Sequence, residues 1–186
     1  MFTISKNNSL LIGGLIVTVL AISGVALAHQ GKFSQDKSLE ELTAAKQKWQ
    51  KNAVSHYRLT LNYSELNSCQ QELEIKNEKV ISRKKNTCST IPSVQTVTEL
   101  FQHIDSANNQ KCGPNGCACD GPLAVDVVYD SKLGYPRQVG MRLQPQKRWL
   151  YYSSLEDFYP GTPCTLIGFI NQNISVSEFT PIYKNN

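Results

Sequence analysis

Residues 123 to 143 alternate apolar and polar side chains on both sides of one tight turn, and no other stretch constrains the fold as much. Leu123, Val125, Val127 and Tyr129 share one face, while Ala124, Asp126, Val128 and Asp130 share the other. Val139, Met141 and Leu143 resume the period after the turn. A period of two with one apolar face predicts antiparallel strands buried on one side, so the segment reads as a hairpin. Between its arms lies Asp130-Ser131-Lys132-Leu133-Gly134-Tyr135-Pro136. Asp130 opens the turn, Gly134 can take the positive φ that a tight loop demands, and Pro136 fixes the exit.

The same period recurs earlier, where Tyr57, Leu59, Leu61 and Tyr63 alternate with His56, Arg58, Thr60 and Asn62. Strands near 72–76, with Leu73 and Ile75 inward, and 79–84 follow, joined by a turn at Asn77-Glu78. Two segments have helical spacing instead. Ser38 and Glu41 form a capping box ahead of a helix over 39–52, with Leu39, Leu42, Ala45 and Trp49 on one face. Lys46, Lys48 and Lys51 read there as solvated charges. Thr96 and Glu99 form a second capping box, and Val97, Leu100, Phe101 and Ile104 line the helix that follows. Arg148 to Ser153 reads as a strand, 154–163 as a loop, and Cys164 to Ile170 and Ile174 to Phe179 as closing strands. Half-buried strands with two amphipathic helices predict an α+β domain: a mostly antiparallel sheet, both helices on one face, stabilised by disulfides.

Compartment follows from residues 10–28, an apolar run flanked by Lys6 and ending Ala26-Leu27-Ala28. This is the pattern of a cleaved export signal over 1–28; an uncleaved anchor through 10–28 is the alternative. A flexible lead-in over 29–37 and a single domain over 38–183 would follow. The formal net charge of +4 is too small to indicate nucleic acid, and membrane contact is expected only through 10–28. The expected location is periplasmic or extracellular.

All six cysteines, Cys69, Cys88, Cys112, Cys117, Cys119 and Cys164, follow the apolar run, and an even number in an exported chain reads first as disulfides. Centring the second hairpin on Asn77-Glu78 sets Cys69 opposite the 86–88 region and predicts a Cys69–Cys88 bridge. Cys112, Cys117 and Cys119 are close enough to ligate metal or exchange disulfides. However, only one residue separates Cys117 from Cys119, which suits neither a zinc pair nor an iron–sulfur loop. Structural disulfides are the preferred reading; one loop cysteine pairing with Cys164 would leave the other two to pair together. His29 is a further metal candidate, since after cleavage its amine and imidazole could chelate copper with help from His56 or His103. No cofactor is expected.

Other chemistry has thinner support. The chain has no Gly-x-Ser-x-Gly elbow, His-Glu-x-x-His pair or phosphate-binding glycine loop. Asp126 and Asp130 could share a strand face as an acid–base pair, but Asp130 is better explained as the first residue of its turn. Asp120, before Gly121, reads as a turn former too. Alternation puts Tyr57, Tyr63 and Tyr129 in the core and leaves Tyr135, Tyr151, Tyr152 and Tyr159 as possible surface contacts.

Several pieces, in this order, resemble one bacterial exported family. They are Trp49, His56 to Leu61, Glu74 to Val80, Thr96 to Phe101, Val127 to Pro136 with its Tyr-Asp-x-x-x-Gly-Tyr-Pro turn, and Ile174 to Pro181. The family is a domain of unknown function, number six-one-seven-four, and the resemblance spans roughly 42–182 with gaps. It implies a fold and a location but no mechanism. The chain departs from the family where Cys69 stands alone rather than in a Cys-x-Cys pair. It departs again where Leu143 to Arg148 replaces an acidic cluster. Segments near 108–121 and 144–171 read as insertions. The expected function is that of a non-catalytic binding or structural module of the cell envelope, its partner an unknown protein or envelope component. The alternatives are a thiol-redox or metal protein using the Cys112–Cys119 loop, and a protease-inhibitor-like module.

Overall fold

The computed structural model describes residues 37–64, 68–110, 112, 116–151 and 171–183. Contacts divide the chain into two units, Met1–Ala44 and Ala45–Asn186. Within the first unit, residues 37–44 begin a helix, α1, which continues to residue 52. Ser38 already lies inside that helix and so is not its cap; Glu41 instead pairs with Lys37 one turn earlier, at 3.8 Å. Leu39, expected on the buried stripe, is 57% exposed, whereas Leu42, Ala45 and Trp49 are buried.

Six strands form one antiparallel sheet: β1 (His56–Ser64), β2 (Cys69–Lys76), β3 (Lys79–Asn86), β4 (Leu123–Tyr129), β5 (Pro136–Leu143) and β6 (Gln172–Pro181). Their order is β3-β2-β1-β6-β5-β4, so the last strand in sequence lies between the first and the fifth. The alternation read from the sequence has the expected physical result: Tyr57, Leu59, Leu61 and Tyr63 are buried together with Leu73, Ile75, Val139, Met141, Ile174 and Val176. β2 and β3 both extend beyond their expected limits, and the added residue Gln71 is also buried. Its side chain accepts from Tyr63 Oη and donates to Asn86, so the amide enters the core with its polar atoms bonded. The expected strand from Arg148 does not form over residues 148–151, and residues 152 and 153 lie outside the described residues. The chain instead forms a 3₁₀ helix over Pro145–Tyr151, which starts with proline, a residue that lacks the N–H a ladder needs. The expected strand Cys164 to Ile170 lies outside the described residues.

The second helix, α2 (Val97–Gln110), continues beyond Ile104, the last residue of the expected apolar stripe. Its capping box forms: the Glu99 N–H donates to Thr96 Oγ1 while the Glu99 carboxylate accepts the Thr96 N–H at 3.0 Å. Both helices cover the same sheet face. The Trp49 ring of α1 meets the Tyr57 ring edge-on at 5.6 Å, and the Val97 N–H at the start of α2 donates to the Tyr57 hydroxyl. A short helix, α3 (Cys117–Asp120), packs against the 3₁₀ helix.

The turn between β4 and β5 is a docking joint. The Asp130 carboxylate accepts the N–H groups of Lys132 and Leu133, and the Gly134 N–H donates to the Asp130 carbonyl. Gly134 has φ +87°, and a Cβ placed on it would lie 2.5 Å from the Ala45 carbonyl oxygen and 3.0 Å from the Trp49 nitrogen. Glycine is therefore required twice, for its dihedral and for the approach of the helix backbone. Lys48, expected to be solvated, donates to the Ser131 carbonyl across the same joint. Tyr135, a candidate surface contact in the sequence, is instead buried and stacks on Phe179 with centroids 4.4 Å apart. Burial raises its phenol above the usual range, and the nearby Asp130 charge adds to this.

Cys69 and Cys88 are joined by a disulfide with Cα atoms 4.9 Å apart, across the open end of the β2–β3 hairpin. Cys112 and Cys117 form a second, with Cα atoms 4.5 Å apart. The two bridges point to an oxidising, extracytoplasmic location. Among the described residues, no helix is long and apolar enough to cross a membrane.

Two stability measurements follow from these joints. Gly134→Ala should lower the urea midpoint by the equivalent of about 2 kcal/mol or more, because alanine meets both an unfavourable φ and a backbone oxygen. A loss under ~0.5 kcal/mol would mean that the turn does not hold α1 in place. Replacing Cys69 and Cys88 together by serine should cost about 3 kcal/mol, the loop-closure value for a bridge of this span.

Candidate functional site

Beside Trp49 is an open cleft of about 520 Å³, within the size range of small-ligand sites. Its apolar lining comes from Trp49, Val54 and Phe101; its polar lining includes Gln50, Ser55, Thr98 and Gln102. Lys46, Glu78 and Asp105 supply the charges. Three elements position these residues: the C-terminal half of α1, the first turns of α2 and the tip of the β2–β3 hairpin. Lys46, also expected to be solvated, forms an ion pair with Asp105 that ties α1 to α2.

Local conformation singles out this cleft. Among the described residues, the non-glycine residues with positive φ are Ala53 (+45°), Asn77 (+50°) and Glu78 (+57°), and all three line it. Asn77 is ordinary at such a position, but alanine and glutamate are disfavoured there. At the hairpin tip a two-residue turn with positive φ at both positions normally takes Asn-Gly. Glu78 occupies the glycine position because its carboxylate has a task. It accepts the Tyr57 hydroxyl at 3.2 Å and the Thr98 N–H at 3.2 Å, placing negative charge at the start of α2. Burial, reinforced by the Glu78 charge and opposed by the Val97 N–H, pushes the Tyr57 phenol far above its usual range. That phenol therefore stays a neutral donor.

The opposite sheet face is polar where β1 and β2 pair. There the Glu74 carboxylate accepts from His56 Nε2 at 2.8 Å and from Arg58 Nε at 3.1 Å. These two hydrogen bonds, His56 first, hold its carboxyl below the usual carboxylate range. Asp126 pairs with Arg142 on the neighbouring strand, and Asp130 is taken up by its turn, so each expected acid–base partner has a separate structural role. Asp120, expected as a turn former, is the last residue of α3 and is 1% exposed. His103 bonds to the Gln172 side chain, and Tyr151 is exposed. Tyr152, Tyr159 and His29 lie outside the described residues.

The cysteine loop offers no thiolate set. Cys112 pairs with Cys117, Cys119 is also disulfide-bonded, and no described cysteine is free. Metal ligation would need these three cysteines as deprotonated thiolates. Cys164 lies outside the described residues. Sequence reading missed the cleft because its charges come from three separate elements. The one local signal was Glu78 at a turn position that glycine should hold.

The Glu74 cluster gives a pH prediction. A carboxyl with a folded value below its unfolded value stabilises the fold above the unfolded value, near ~4.3, and that stabilisation is lost as pH falls through the folded value. The difference in urea midpoint between the parent chain and Glu74→Gln should therefore be full at pH 6 and shrink as pH falls below the unfolded value. A difference independent of pH would show that the carboxylate charge contributes nothing.

Neither a curated protein nor a solved structure matches this chain. One family model does, over residues 41–146, a range that holds α1 from its fifth described residue, the first five strands and the Asp130–Pro136 turn. The match covers more than half the chain, which belongs to the family of unknown function DUF6174.

Proposed function

We propose that the protein is an exported, non-catalytic binding module of the bacterial cell envelope, and that its ligand site is the cleft beside Trp49. The observation that carries this reading is the gathering of Ala53, Asn77 and Glu78 around one cavity. Ala53 and Glu78 each cost of order 1–2 kcal/mol in this conformation, and strain of this kind persists at sites that use the resulting geometry. The rest of the lining has the makeup of a binding site: an apolar base with a few converging polar groups. The support for export is the apolar run 10–28 ahead of every cysteine, together with disulfides that need an oxidising compartment.

Two measurements test this. A fragment screen followed by amide chemical shifts should place its hits at Ala53, Asn77, Glu78 and Thr98; hits confined to the cysteine loop or scattered over the polar sheet face would sink the cleft assignment. N-terminal sequencing of the protein recovered from its native envelope should begin at His29. An intact N-terminus would replace the soluble module by one anchored through residues 10–28.

A further inference from the structure

We propose that the cleft takes an organic ammonium carried on an alkyl stem, with Glu78 as its counter-ion; this rests on the cleft being the ligand site. Among the described lining residues, Lys46 is the one cation, against the carboxylates of Glu78 and Asp105. The Lys46 ammonium already sits on Asp105, so the chain itself shows the kind of group this cleft accommodates. Glu78 remains. Its carboxylate has roughly four acceptor positions, and the hydrogen bonds to it come from two donors, the Tyr57 hydroxyl and the Thr98 N–H.

The C-terminal end of α1 adds to the preference. Its last turn closes at Ala53, whose N–H bonds back to the Gln50 carbonyl, and both residues line the cleft. The carbonyl end of a helix favours cations and disfavours anions. Trp49 and Phe101 supply aromatic and apolar surface for a stem. A methylene chain ending in an ammonium matches all of these: the stem against the apolar base, the charge at Glu78. A free alkylamine and a lysine side chain of an extended peptide share this chemistry.

The test is an amide-shift titration of the whole chain with four probes: pentylammonium, N-acetyl-lysine methylamide, pentanol and pentanoate. Both ammonium probes should saturably shift the Ala53, Glu78 and Thr98 amides. Pentanol and pentanoate should bind about tenfold more weakly, as expected for loss of one charge-assisted contact. Tighter binding by the lysine probe would identify a peptide-borne group, and tighter binding by pentylammonium a free amine. Glu78→Gln should weaken ammonium binding about tenfold. That variant also disturbs the start of α2, so Lys46→Met provides a second reading. By freeing Asp105 it should tighten the ammonium probes severalfold and leave pentanol unchanged. Equal shifts from all four probes would overturn the ammonium assignment and leave the cleft as the ligand site; no shift at the cleft from any probe would overturn both.

Discussion

The Tyr57 side chain joins both helices, the last strand and the tip of the β2–β3 hairpin. Its ring, fully buried on β1, packs against Trp49 and Phe179, while its oxygen accepts from Val97 and donates to Glu78. One side chain thus fixes both helices, the last strand and a hairpin tip relative to the centre of the sheet. A buried hydroxyl without partners would cost roughly 1–3 kcal/mol, so both bonds matter to the fold as well as to the site. The cleft exists because Glu78 is drawn inward to this oxygen. Phenylalanine at position 57 would keep the packing and remove the reason for Glu78 to hold its strained conformation.

Much of the scaffold was legible because its determinants are local. Period-two burial gave β1 and β4, the Thr96–Glu99 box gave the start of α2, and Asp130, Gly134 and Pro136 gave the turn. What escaped depends on residues far apart in sequence. Nothing near Tyr135 announces that Phe179 will lie under its ring, and nothing near Lys46 announces Asp105. Gln71 reads as a surface amide until Tyr63 and Asn86 are seen to satisfy it. The misread segment after β5 is a conflict of local signals, in which aromatic residues that favour strands follow a proline that cannot donate to one.

The hairpin edge shows a second kind of economy. β3 is the outer strand on one side of the sheet and carries Lys79, Arg83, Lys84 and Lys85, with two irregularities in its pairing to β2. Charge and bulges both discourage addition of a further strand. Lys84 also approaches Glu72, and Arg83 donates to Gln95 ahead of α2, so the basic run protects an edge while bracing it. The disulfide between Cys69 and Cys88 fastens the opposite end of the same hairpin from the tip that presents Glu78. The strained turn is thereby mounted on a rigid support.

The position of β6 has a consequence for the order of assembly. The strand lies outside the matched range of the family model, yet among the described residues it joins the β1–β3 and β4–β5 portions of the sheet. During synthesis, the ribbon of three strands and the hairpin of two emerge before the strand that pairs with both. Only once residues 172–181 have emerged can one strand slot between them and complete the sheet. Contacts this distant along the chain favour slow folding. A protein built this way completes its sheet with the last strand it makes.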